Sequence, residues 1–251
     1  MIEAFFLGPS KKQIFASYHP PIGGLGQVLT VICPPLFSEY MRTHPALRDL
    51  ANSLAESGQH VLRFDYRGTG DSFGDVSEVV VSDWLDDIAL AVREGCAISG
   101  SSLVRVLGVR AGALLASRSM GASDEVQRLV LWDPVPNGSD YIEGLSRMRA
   151  AILEGNIYLS HRERSESVNG FAGYRLSGRM MEEIRSLDER AYSDVPKSKM
   201  NVIYTSPQSV FPVPGVPQEV VRFACDWDRD SQDLMMPKPV LERILECLTM
   251  T

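Results

Sequence analysis

The chain has 251 residues, 44 % hydrophobic and 23 % charged, enough for one large core. Its 25 basic and 32 acidic residues give a net charge of −7 and form no Lys/Arg block, which argues against nucleic acid or an anionic membrane surface as partner. No apolar run reaches the roughly 18 residues of a membrane span, the start MIEAFFLGPSKK lacks a basic leader, and Cys33, Cys96, Cys225 and Cys247 form no CxxC, so free thiols in a cytoplasmic protein are expected.

Taken in chain order, Ile2–Phe6 and Ile14–Tyr18 read as an antiparallel pair at a sheet edge. Val28–Cys33 is a continuous apolar run, as in a strand covered on both faces, and Pro34 and Pro35 stop it. Arg42–Ser57 has helical spacing at Leu47, Leu50, Ala51 and Leu54, with Gly58 as the stop. Val61–Phe64 is the next strand, and Arg67–Gly74 is glycine-rich turn material. Ser82–Cys96 reads as a helix with Ser82 as N-cap and Asp83, Asp86 and Asp87 in its first turns. Strands at Leu103–Leu107 and Val126–Trp132 flank an alanine-rich helix. This alternation predicts a mostly parallel, doubly wound α/β sheet of about eight strands.

The alternation breaks after Asp133-Pro134. Residues 137–199 turn polar and arginine-rich, with helical stretches at Tyr141–Ala151 and Met180–Ala191; a helical cap over a core of residues 1–136 and 200–251 is expected. Val202–Thr205 and Val220–Cys225 resume the strands, and Val240–Leu248 closes the chain as a helix.

The chemistry concentrates at Gly108-Val109-Arg110-Ala111-Gly112. A strand, a G-x-S-x-G turn and a helix form the nucleophile elbow of α/β-hydrolases, with serine on a strained turn above the sheet. Here Arg110 stands in the serine slot, and a guanidinium is not a nucleophile. The other triad slots are also unusual. The stretch after the post-cap strand, Ile203-Tyr204-Thr205-Ser206-Pro207-Gln208, has no carboxylate, and no histidine follows His161. Asp133 sits where some α/β-hydrolases take their acid. An oxyanion site would use the backbone N–H of Ala111 and that of Leu36 or Phe37, since Pro34 and Pro35 cannot donate. Substitute nucleophiles are poor. Ser72 reads as a turn residue, Cys33 ends a buried strand and needs His44 or His60 as base, and Ser206 reads as a loop serine.

An arginine on the pocket floor needs a partner, because an unpaired buried charge costs several kcal/mol. One reading pairs it internally with Asp133, Asp226, Asp228 or Glu39. Another makes it the anchor of a ligand carboxylate or phosphate at the N-terminus of the following helix.

The stretch Arg63-Phe64-Asp65-Tyr66-Arg67-Gly68-Thr69-Gly70-Asp71-Ser72 is similar to the strand and turn of serine-aminopeptidase-like α/β-hydrolases. Gly108–Ala116, Leu131-Trp132-Asp133-Pro134-Val135 with Gly138, and Ala172-Gly173-Tyr174 with Leu176 resemble the exosortase A system-associated hydrolases, whose second type carries an arginine-bearing elbow. The resemblance implies a bacterial cytoplasmic protein; the four histidines show no metal-ligand spacing, so no metal is expected, nor is a cofactor.

Three readings follow. The first is a non-hydrolytic binding protein for an acyl or anionic small molecule, with a pocket of Leu36, Phe37, Arg110, Ala111, Asp133, Ser206 and Trp227. The second is an esterase, thioesterase, acyltransferase or lyase with a rebuilt site, in which Arg110 and the Ala111 N–H stabilise an oxyanion and Asp133 takes part. The third docks a partner on Arg147, Arg149, Arg162 and Arg164. A homodimer is compatible with all of them.

Overall fold

The computed structural model describes residues 1–23, 26–120, 123–155, 170–171, 174–213, 215–225, 227 and 234–250. Strands β1 (Glu3–Leu7), β2 (Ile14–His19), β3 (Val28–Cys33), β4 (His60–Phe64), β5 (Leu103–Val109), β6 (Val126–Trp132), β9 (Met200–Tyr204) and β10 (Gln218–Val220) form one sheet in the order β1-β2-β4-β3-β5-β6-β9-β10. From β4 to β10 all neighbours are parallel; β1 and β2 add an antiparallel edge. Helices α1 (Phe37–Glu56), α2 (Val81–Ser99), α3 (Ala111–Met120) and α7 (Lys238–Thr249) cover the two faces.

Both faces are apolar because the central strands alternate between two cores. Val31, Val106 and Leu131 face Trp84 and Ile88 of α2 and Leu114 of α3. Ile32, Leu107 and Val130 face Leu47, Leu50 and Leu54 of α1 and Val240 and Ile244 of α7. Burying one such side chain stabilises the fold by about 1.5–3 kcal/mol.

Between β6 and β9 the chain leaves the sheet to form α4 (Gly138–Gly155), a two-stranded ribbon of β7 (Gly170–Phe171) and β8 (Tyr174–Arg175), α5 (Gly178–Ser186) and α6 (Arg190–Ser193). Tyr141 of α4 and Tyr174 of β8 reach the core at Phe37, with ring centroids at 6.5 and 5.1 Å.

Several boundaries differ from expectation. Helix α1 starts at Phe37, five residues before Arg42, with Pro45 inside it. Proline removes one helical hydrogen bond, yet tertiary bonds from Glu39 and Tyr40 hold the first turns. Ser82 does not cap α2. The Asp83 carboxylate does, accepting the Val80 N–H at 3.1 Å. The stretch Met180–Ala191 is two helices, interrupted at Leu187. The last strand is short and ends at Val220, although Val221 and Phe223 still donate to Tyr204 and Thr205 at 2.8 and 3.1 Å. Among the described residues no helix is long and apolar enough to cross a membrane.

Candidate functional site

Strand β5 runs directly into α3 through Arg110, whose φ is +54°. Such a conformation is uncommon for a residue with a Cβ and marks a constrained turn. The Arg110 N–H donates to the Trp132 carbonyl at 3.0 Å, and the Ala113 N–H donates to the Arg110 carbonyl at 3.0 Å. The flanking glycines are sterically required. A Cβ on Gly112 would lie 2.2 Å from the Pro34 carbonyl oxygen, and one on Gly108 would lie 2.5 Å from the Ala113 Cα. A constrained strand-to-helix turn, with close-packed glycines on either side, is therefore in place at Arg110.

Arg110 turns its guanidinium onto Glu39 of α1, donating from Nε to Oε1 at 3.1 Å, and from Nη1 to the Asp133 carbonyl at 3.3 Å. Glu39 is 2 % exposed and also accepts from the Tyr141 hydroxyl at 3.3 Å. The guanidinium carbon lies 5.0 Å from the centre of the Trp227 ring, within cation–π range. Burial works against the Arg110 cation, but the charges of Glu39 and Asp133 outweigh it and hold its pKa above the ordinary arginine value. Of the four expected partners, Glu39 makes the ion pair and Asp133 contributes its backbone; Asp226 and Asp228 lie outside the described residues.

Asp133, fully buried with φ +43°, follows β6 beside the elbow. Its Oδ1 accepts the Thr205 N–H at 2.8 Å; its Oδ2 accepts the Thr205 hydroxyl at 2.5 Å and the Trp227 indole N–H at 2.7 Å. Asp133, Trp227 and Arg110 thus form a contiguous row of carboxylate, indole and guanidinium. A histidine in the middle could relay a proton between its neighbours. An indole N–H only donates and has no acceptor nitrogen. Nothing beside Trp227 in the sequence marks it as the partner of Asp133; its place soon after the last strand, where a triad histidine would stand, is the available signal.

The substitute nucleophiles have structural partners. The Ser72 hydroxyl accepts from the Phe15 N–H at 2.8 Å and donates to the Asp65 carbonyl at 2.6 Å, stapling the glycine turn. Burial pushes the Cys33 thiol far up, only partly opposed by the Tyr66 hydroxyl, so a thiolate there is disfavoured. His60 is bonded to the Tyr18 hydroxyl and the Gly26 carbonyl, and His44 to Arg63. Ser206 caps a short turn, accepting from the Gln208 N–H at 3.3 Å.

The expected pocket residues are distributed over separate spaces. Leu36 and Phe37 line a cleft of about 450 Å³ with Tyr40, His44, Asp65 and Tyr174. Arg110 and Trp227 face a hollow of about 80 Å³ with Glu39, Tyr141 and Arg147. Ala111 borders a void of about 10 Å³ with Leu36 and Trp84. Ser206 lines an outer depression with Thr205 and Arg222. The cleft residues Tyr40, His44 and Asp65 lay outside the expected set, because only the packing of α1 against the β4–α2 loop brings them together.

The eight-stranded, mostly parallel sheet with its flanking helices defines an α/β-hydrolase fold. Among solved structures, the chain is similar to an esterase of Pyrococcus furiosus (TM-score 0.67, 15 % identity, covering 99 % of this chain and 90 % of that one). It is also similar to Est1E of Butyrivibrio proteoclasticus, solved with ferulic acid bound (TM-score 0.65, 17 % identity, 98 % and 100 % covered). A bromoperoxidase of Bacillus anthracis matches with a TM-score of 0.59 at 15 % identity, covering 99 % of this chain and 100 % of that one. These likenesses establish the fold. No protein-family model and no curated protein matches the chain.

Proposed function

We propose that this chain is a non-hydrolytic protein of α/β-hydrolase fold that binds a small molecule with an acyl or similarly apolar body. The observation that carries this reading is the row Asp133–Trp227–Arg110, in which an indole and a guanidinium stand where a proton relay and a nucleophile would act. Triad members work as a unit, and removing one lowers acyl-transfer rates by about 10⁴- to 10⁶-fold. The cleft beside Leu36 and Phe37, walled largely by apolar and aromatic side chains, supports the acyl part of the expectation. The anionic part has less support. Arg110 lies between the buried carboxylates of Glu39 and Asp133, so the three groups together formally carry one positive and two negative charges.

The arginine-bearing elbow supports placing the chain among the bacterial, cytoplasmic exosortase A system-associated hydrolases. The test is ester turnover with p-nitrophenyl acetate, butyrate and octanoate on the native protein and on Arg110→Ala. The binding reading predicts background rates for both. Turnover by the native protein that disappears in Arg110→Ala would instead establish the rebuilt-site enzyme.

A further inference from the structure

The 450 Å³ cleft has a feature that the Arg110 row does not explain. Asp65 lines it and is only 7 % exposed. Its Oδ1 accepts the Tyr40 hydroxyl at 2.6 Å, and its Oδ2 accepts the Asp71 N–H at 3.1 Å. Neither donor is a cation, and among the described residues no Lys, Arg or His nitrogen lies within 4.0 Å of this carboxylate in an ion pair. Buried carboxylates are normally paired. The nearby arginine, Arg63, spends its hydrogen bonds on neutral acceptors, His19 and His44, each at 3.3 Å.

The walls around that carboxylate are aromatic. Phe37, Tyr40, Tyr66 and Tyr174 all border the cleft, with His44 at its rim. Tyr174 comes from the insertion and meets Phe37 at 5.1 Å, and Tyr40 and His44 meet edge to face at 5.5 Å. Ring faces carry negative potential and attract organic cations. Burial raises the pKa of the Tyr40 phenol first, the Asp65 charge raises it next, and Arg63 opposes this only in part. The chain as a whole is also acidic, at −7.

We infer that the cleft is a binding site for an organic cation, an amine or quaternary ammonium group on an apolar body, with Asp65 as counter-ion and the tyrosine and phenylalanine rings as its box. This names the polar end of the ligand and rests on the binding reading above. Its volume falls within the roughly 300–1,000 Å³ typical of small-ligand sites.

The test uses the full chain and titration calorimetry with saturation-transfer NMR. The probes are choline, its uncharged carbon isostere 3,3-dimethylbutan-1-ol, and octanoate. Choline should bind at least tenfold more tightly than the alcohol. Asp65→Asn should reduce choline to the level of the alcohol, and Tyr174→Leu should weaken it several-fold. Equal binding of choline and the alcohol, no binding of choline, or choline binding unchanged in Asp65→Asn would overturn the inference. If Asp65→Asn does not fold, the isostere pair on the native protein and the Tyr174→Leu comparison decide. Octanoate binding without choline binding overturns the cation site while leaving the acyl-binding reading intact. Ester turnover overturns that reading through a separate assay.

Discussion

The indole Nε1 of Trp227 donates to Asp133 Oδ2 at 2.7 Å, and the face of the same ring lies 5.0 Å from the guanidinium carbon of Arg110. A triad histidine makes the first of these contacts to its acid and faces the nucleophile in place of the second. On the proposed reading the acid has kept its position while the groups next to it have changed chemistry. Trp227→Phe should preserve the ring and its packing against Trp132, which lies at 5.6 Å, but leave one Asp133 oxygen short of a donor. A loss of about 1–3 kcal/mol in urea denaturation is expected. No loss would mean that Thr205 alone satisfies the carboxylate.

Arg110 and Glu39 should be energetically coupled. Arg110→Ala takes the guanidinium away from a carboxylate that is 2 % exposed, and breaking a buried pair in this way costs about 3–5 kcal/mol. Arg110→Met combined with Glu39→Gln removes both charges and should recover at least half of that loss. A double-mutant cycle in denaturant measures the coupling directly. Additive effects would show that the pair contributes nothing as a pair.

His19 should make the fold acid-sensitive. It is 1 % exposed; burial, then the charge of Arg63, lowers its pKa from 6.5 to about 4. The unfolded chain therefore binds this proton more readily than the folded one, and stability falls as pH drops from about 6.5 to about 4. At roughly 1.36 kcal/mol per pKa unit, the full loss below pH 4 is about 3 kcal/mol. His19→Gln should flatten that limb of a stability–pH curve by a similar amount, relative to its own neutral-pH stability. An unchanged acid limb would place the sensitivity elsewhere.

The long apolar runs were legible in sequence. Val28–Cys33 and Val126–Trp132 became strands over the same residues, because a strand packed against both cores carries apolar side chains on both faces. Of the two glycines flanking Arg110, Gly108 meets a local steric demand at Ala113, whereas Gly112 makes room for the distant Pro34 carbonyl, which no local pattern reveals. The start of α1 was not legible because Phe37 follows closely on the Pro34-Pro35 stop, and the first turns are held by bonds of Glu39 and Tyr40 to distant residues. The Glu39–Arg110 pair spans 71 positions and the Trp227–Asp133 bond spans 94, so no local pattern could assign either, although Glu39 was among the candidate partners. The Asp65 cleft depends on a helix packing against a loop and has no sequence signature beyond its glycine turn.

If these positions have the geometry of a triad, restoring the residue types should restore labelling. Arg110→Ser with Trp227→His, plus Glu39→Gln to remove the carboxylate that loses the Arg110 charge, should react slowly with a fluorophosphonate probe. Arg110→Ser alone and Trp227→His alone should not. An inert but folded triple variant would show that the row lacks the spacing for proton relay.

Intact-mass analysis of the native protein after incubation with a reactive fluorophosphonate tests the central claim most directly. The account predicts no adduct, because the row from Asp133 through Trp227 ends in a guanidinium. A stoichiometric mass increase would reveal an activated nucleophile and contradict it.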